Sequence, residues 1–142
     1  MEEKFKITEE DKDLLEWAIK AMKNAYVLWG FAVGAAVLAE DNVVYEGCNI
    51  ESWVSGLGKC AERCAIDHAV LHGNRKIRKI AIVTEMDNIK ELIPCGACLQ
   101  YISDFAFPGA KILMAKTKNG KLLMNSINVK TIEELFPFSY RR

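Results

Sequence analysis

Apolar residues recur along this chain with two different periods, and the changes of period mark out its elements. Leu14, Leu15, Ala18, Ile19, Met22 and Ala25 fall at helical intervals, the spacing that lines one helix face. Thr8 and the acids Glu9, Glu10 and Asp11 stand ahead of them, an N-cap followed by charges that the helix dipole favours. Residues 9–25 are therefore predicted as an amphipathic helix. Phe31 to Ala39 is a short apolar run bounded by turn residues, the mark of a buried strand. Glu40-Asp41-Asn42 turns it into Val43–Cys48, a second strand and hairpin partner. Asn49 to Lys59, with Gly56 and Gly58, has little periodicity and reads as a loop.

Helical spacing returns from Ala61 to His72, with apolar groups at 65, 66, 69 and 70 and Gly73 placed as a C-cap. Arg78 to Thr84 is the third predicted strand. After a polar stretch, Gly96 to Phe105 is the third helix, with Cys95 at its start and Pro108-Gly109 breaking it. Lys111–Lys116 and Lys121–Ile127 flank Asn119-Gly120, a strong hairpin signal, so the last two strands should be antiparallel. Thr131 and Glu134 form a capping box that opens a short final helix before Pro137. This order predicts an α/β protein in three layers, α/β/α, with helices on both faces of a mixed sheet of about five strands.

Composition narrows the function classes. A length of 142 residues suits one domain over 1–142. Nineteen basic residues balance nineteen acidic ones, which gives no support to capture of nucleic acid or an anionic membrane. The basic run Arg75-Lys76-Ile77-Arg78-Lys79 then reads as a solvated turn. No apolar signal core follows the charged N-terminus, and the nearly apolar run from Trp29 to Ala39 is too short to span a bilayer. The expectation is a cytoplasmic protein, where thiols stay reduced. Five cysteines, an odd set, argue further against a disulfide framework.

Clustered cysteines in that compartment point to metal binding or catalysis. Cys60 lies just ahead of one predicted helix, and Cys95 and Cys98 open another. Helix N-termini favour thiolate over thiol. Two such starts at one sheet edge would gather three sulfurs around a zinc ion whose fourth position stays open. Glu62 would diverge from Cys60 inside a regular helix; with Cys60 in a non-helical cap, both reach the zinc region. Glu62 is then better placed to move protons than to ligate. Arg63 is the nearest positive charge to offset the thiolates. A Cys-x-x-Cys also fits a redox pair, which would leave Cys60 and Glu62 unused, or structural zinc, which needs a fourth ligand. His68 and His72 lie roughly 12–18 Å along the helix from Cys60, too far to share its ion. Cys48 and Cys64 suit packing rather than chemistry.

Together these pieces resemble the cytidine deaminase family of zinc-dependent free-nucleoside deaminases, in its three-cysteine form. The matching segments are Phe31-Ala32-Val33-Gly34-Ala35-Ala36, Gly47-Cys48-Asn49-Ile50-Glu51, Cys60-Ala61-Glu62-Arg63, Pro94-Cys95-Gly96-Ala97-Cys98 with Gln100, and Leu135-Phe136-Pro137, in the family's order over nearly the whole chain. The resemblance implies one zinc ion per chain on Cys60, Cys95 and Cys98, with Glu62 as proton shuttle. It implies that Asn49 and Glu51 hold the ribose hydroxyls and that Phe31 lies beside the base. A turn-forming Asn, a solvated Glu and a core Phe are the alternatives for those three. It also implies deamination of cytidine and deoxycytidine in pyrimidine salvage, by a homotetramer whose sites neighbouring subunits complete.

The hairpin of the last two strands resembles nucleoside and blasticidin-type deaminases; polynucleotide deaminases place a helix there and run the strands parallel. The chain departs from the family at Val27-Leu28-Trp29, where Pro-Tyr-Ser is usual, at Ser52-Trp53-Val54-Ser55, and at Leu99, where an Arg is usual. Those positions lie where nucleoside and neighbouring subunits meet. An aminopyrimidine deaminase of the blasticidin S type is therefore one alternative, and a zinc-containing protein that only binds nucleosides is another. Tyr140 stands near the family's C-terminal aromatic, which reaches a neighbour's site, but equally suits an ordinary surface position.

Overall fold

The computed structural model describes residues 6–86 and 92–141. The first five residues of the charged N-terminus, and residues 87–91 of the polar stretch before Pro94, lie outside the described residues. The chain runs α1 (Glu9–Met22), β1 (Val33–Ala39), β2 (Val44–Cys48), α2 (Ala61–Leu71), β3 (Ile77–Thr84), α3 (Gly96–Phe105), β4 (Ala106–Lys118), β5 (Lys121–Leu122), β6 (Asn128–Thr131) and α4 (Ile132–Leu135). The capping box expected at Thr131 with Glu134 forms, and the expected N-cap Thr8 forms a second one with Asp11. Each satisfies two backbone donors that the first helical turn would otherwise leave unpaired.

The sheet has the order β2-β1-β3-β4, with β5 and β6 both on the outer edge of β4. β1 is antiparallel to β2 and to β3, whereas β3 and β4 run parallel, joined through α3. The expected five strands are six among the described residues, because the predicted strand 121–127 stops at Leu122 and a further strand, β6, follows at Asn128–Thr131. Leu122 pairs with Thr117, and the pairing resumes at Asn128 opposite Met114. Between them Ser126 Oγ accepts the Lys116 N–H at 2.8 Å and donates to Leu123 O at 2.6 Å. A side chain thus takes over the ladder's hydrogen bonds, and Met124–Ser126 winds into a 3-10 turn. Both strands are antiparallel to β4, as the Asn119-Gly120 turn requires; its two residues adopt φ of 52° and 75°.

The largest other shifts of boundary are at α1 and β4. α1 ends at Met22, and Tyr26 instead pairs its backbone with the 49–51 segment. β4 starts at Ala106 and absorbs Pro108-Gly109, with the β3–β4 register shifting between Ile77 and Lys79. The Gly109 N–H, unused by the ladder there, is bound by the Glu133 carboxylate.

Alternation along each strand sends side chains to two cores. Ala36, Leu38, Ala81, Val83, Leu113 and Ala115 face α1 through Leu14, Leu15, Ala18, Ile19 and Met22. Val37, Ile80, Ile82, Ile112 and Met114 face Ala65 and Ile66 of α2 and Leu99 and Ile102 of α3. Each fully buried Leu, Ile or Val side chain contributes about 1.5–3 kcal/mol. Two glycines set the layer spacing. A Cβ on Gly34 would strike the backbone of α1 at Ala18 and Met22, and one on Gly47 would strike α2 at Ala61 and Ala65. On the α1 side, Lys79 Nζ sits 2.7 Å from both Asp11 Oδ1 and Glu10 Oε1, closing the helix onto β3.

Candidate active site

Close approach at Gly47 brings the start of α2 to the sheet beside the start of α3. Cys60 is the N-cap of α2 with φ −74° and ψ 154°, and Cys95 is the N-cap of α3 with φ −68° and ψ 168°. Neither side chain caps its own helix by a hydrogen bond, so both sulfurs are free to face each other. Cys98 joins them from the first turn of α3. The three sulfurs all lie within 4.8 Å of one another. Sulfurs held tetrahedrally at about 2.3 Å from zinc sit ~3.8 Å apart, so this trio fits the ion with little contraction. Cys98 is buried, Cys60 half-buried and Cys95 exposed, which leaves one side of the cluster open.

The electrostatics favour thiolate. The Cys60 thiol is pulled down to about 5, first by its hydrogen bond with Cys98 and then, against burial, by Arg63, whose Nη2 lies 3.5 Å from Cys60 Sγ. Cys98 moves up, through the same hydrogen bond and through burial. The two share a proton, and a metal ion would displace it. The Arg63–Cys60 contact places the guanidinium against the sulfurs, while Arg63 Nε is buried with no partner among the described residues. Glu62 follows the non-helical cap, is only 5 % exposed, and reaches the same region. Burial pushes its carboxyl up, and the Cys60 charge adds to that. A carboxyl so raised exchanges protons nearer neutral pH.

A cavity of about 360 Å³ opens over the cluster, lined by Phe31, Asn49, Glu51, Cys60, Glu62 and Cys95, with Lys59, Ile82 and Leu92 also on its walls. The site candidates from the sequence therefore converge on one cavity, with Cys98 buried within the sulfur cluster. Asn49 and Glu51 have partners within the chain. Asn49 Oδ1 accepts the Val33 N–H at 2.8 Å and its Nδ2 donates to Phe31 O at 2.7 Å. Glu51 Oε1 accepts the N–H groups of Leu28, Trp29 and Gly30 at 2.5, 2.8 and 3.2 Å. The Trp29 and Leu28 N–H groups hold its carboxyl below the usual carboxylate range.

Residues 8–114 match the family described as the cytidine and deoxycytidylate deaminase zinc-binding region. The chain belongs to this deaminase family. A cytidine deaminase from Sporosarcina psychrophila is 36 % identical over 124 residues, covering 87 % of this chain and 85 % of the relative. A blasticidin-S deaminase from Bacillus cereus is 33 % identical over 144 residues, covering 97 % of each. Among solved structures, a cytidine deaminase from Burkholderia pseudomallei superposes with a TM-score of 0.79 at 31 % identity, over 91 % of this chain and 98 % of that one.

Of the departures from the deaminase family, Leu99 is buried in the core, and 27–29 and 52–55 adjoin Gly30 and Glu51 of the cavity wall in sequence. Trp29 and Trp53 meet edge to face with ring centroids 5.3 Å apart, and both are exposed. Gln100 exchanges hydrogen bonds with the Tyr140 backbone, tying the C-terminal segment to α3 while the Tyr140 ring stays exposed. Cys48 and Cys64 are half-buried, and burial pushes both thiols up. His68 and His72 pack on the Tyr45 ring, with Nδ1 of each against a backbone carbonyl. Sequence reasoning missed a strut between the two cysteine-bearing helices: Tyr101 OH of α3 donates to Asp67 Oδ1 of α2 at 2.5 Å, and Lys59 closes on the other oxygen at 3.2 Å. Its only sequence signal was a helical Tyr and a helical Asp, which carry no mutual spacing.

Proposed function

We propose that this chain hydrolyses cytidine and deoxycytidine to uridine and deoxyuridine with release of ammonia, as a single domain over residues 1–142 serving pyrimidine salvage in the cytoplasm. The observation that carries the reading is a buried carboxyl, Glu62, on the wall of a cavity beside three clustered sulfurs. Cys60, Cys95 and Cys98 would hold one zinc ion, which would supply Lewis acidity for water attack near neutral pH. Glu62 would carry both protons of the attacking water in turn, the first to the ring nitrogen N3 of the base and the second to the amine that leaves as ammonia. Arg63 offsets the negative charge of the sulfurs. Phe31 flanks the base, and Asn49 with the freer Oε2 of Glu51 faces the sugar hydroxyls.

A homotetramer fits the number of large apolar groups exposed near the site, including Trp53 at 76 % and Leu57 at 65 %. Light scattering on the eluting protein reads the subunit number directly. The partner molecule is a free nucleoside; neither the balanced charge nor any described helix suits nucleic acid or a membrane span. A second reading, a deaminase of the blasticidin S type, is favoured by the Trp29–Trp53 pair beside Gly30 and Glu51 and by the Bacillus cereus relative that covers 97 % of this chain.

The deciding experiment is a rate panel of cytidine, deoxycytidine, blasticidin S and adenosine, with ammonia and zinc counted in the same sample. Cytidine and deoxycytidine should turn over fastest. Glu62→Gln should keep one zinc per chain and lose about 10²–10⁴-fold in rate. Blasticidin S turning over fastest would select the second reading, and zinc with no ammonia from any substrate would leave a binding protein.

A further inference from the structure

Residues 28–33 form the strip of backbone that carries Phe31, and nearly every polar contact that holds it comes from one short motif. Asn49 takes the Phe31 carbonyl and the Val33 N–H. Two residues on, Glu51 Oε1 takes three consecutive N–H groups, and Oε2 takes the Gly30 N–H at 3.1 Å. One carboxylate oxygen with three donors has no lone pair left, so only Oε2 retains free acceptor capacity. Gly30 is part of the same device. A Cβ there would fall on Glu51 Oε2, although its φ lies outside the left-handed region and alanine suits the backbone. Trp29, whose N–H is bound, then meets Trp53, two residues beyond Glu51, across the closed joint.

We propose that Glu51 is a positioning residue: its carboxylate clasps the 28–30 backbone and so fixes the Phe31 wall of the cavity before any substrate arrives. The clasp rests on hydrogen bonds within the chain; only its kinetic consequence rests on the cytidine reading above. Charge-assisted hydrogen bonds are about twice as strong as neutral ones, and an amide in place of the carboxylate offers one acceptor oxygen and an N–H₂ that faces other donors. Glu51→Gln should therefore release the strip while preserving side-chain shape. Gly30→Ala should release it from the other side, leaving Glu51 chemically intact.

The test uses the full-length, zinc-loaded chain. Trp17→Phe removes the third tryptophan, so fluorescence reports only Trp29 and Trp53. In that background and without substrate, Glu51→Gln and Gly30→Ala should each raise acrylamide quenching; no change in either overturns the clasp. In the kinetic arm, kcat/KM for 3′-deoxycytidine, which lacks a hydroxyl for Oε2 to hold, should still fall about tenfold or more in both variants. A loss seen only with the 3′-hydroxyl present, and only in Glu51→Gln, would make Glu51 a sugar ligand alone. The two single losses should not add in the double variant, since both break one joint; additive losses also count against the clasp. If the wild-type chain deaminates neither nucleoside, the functional reading fails, and the fluorescence arm still decides the clasp.

Discussion

Replacing Gly47 by alanine should push α2 off the sheet and loosen the sulfur cluster without touching a sulfur. A Cβ on Gly47 would sit 2.6 Å from the Ala61 carbonyl oxygen and closer still to the Ala65 nitrogen. Both are helix backbone, so no side chain can swing aside, and the backbone conformation of Gly47 itself permits alanine. The helix must retreat by a sizeable fraction of an ångström. Overpacking of this kind costs about 1–3 kcal/mol, which for a domain of this size lowers Tm by roughly 2–12 °C. Cys60 caps α2 and Glu62 lies in its first turn, so the retreat also spreads the sulfurs and moves the carboxyl. Zinc affinity should fall by about 10–100-fold, the range found when supports of metal ligands are disturbed.

Gly34→Ala supplies the comparison, because its Cβ would meet the α1 backbone at Ala18 and Met22, and α1 bears none of the site residues. It should lower Tm comparably and leave zinc affinity within about twofold. Thermal melts and competition with a chromophoric chelator measure both quantities. Equal zinc losses in the two variants, or an unchanged zinc affinity in Gly47→Ala despite a lower Tm, would show that helix-to-strand spacing does not set the sulfur geometry.

Two further predictions concern single polar contacts. Burial alone would raise the Asp11 carboxyl, but hydrogen bonds from Lys79 and from the Thr8 N–H hold it below its ordinary value. A carboxyl lowered by folding stabilises the fold at pH above its unfolded value and loses that contribution as pH falls through its folded value. Asp11→Asn should therefore cost about 1.5–3 kcal/mol at pH 7, and the gap to wild type should begin to close below pH ~4; a pH-independent gap in denaturant melts would refute this. Tyr101→Phe removes the strut to Asp67 and should cost about 1–2 kcal/mol, seen as a lower Tm and faster transfer of zinc to a chelator; unchanged values in both would leave the strut without a role.

Much of this protein is legible from local patterns. The α3 boundaries, the Thr8 N-cap, the Thr131–Glu134 capping box and the Asn119-Gly120 turn follow from contacts within a few residues, which a sequence states directly. The placement of Cys60 and Cys95 as extended N-caps follows in the same way, since each immediately precedes a helical apolar pattern. The end of the last predicted strand at Leu122 did not, because Ser126 replaces ladder bonds by reaching Lys116, ten residues back, and nothing in its own neighbourhood announces that partner.

The division is sharpest at the site. The residue types that gather there, three cysteines, one acid and an Asn-x-Glu pair, were determined by the sequence, because metal and proton chemistry accept few substitutes. Tertiary structure alone decided what each side chain does with its free atoms. It closed the sulfurs to within 4.8 Å, buried Glu62 to 5 % exposure, and gave Glu51 three backbone donors about twenty residues away in the chain. Those outcomes depend on helix-to-sheet spacing at Gly47 and on loops that meet only when the sheet is assembled. Such long-range distances leave no periodicity in the sequence, since hydrophobic patterning records which face a residue takes and not which partner it meets.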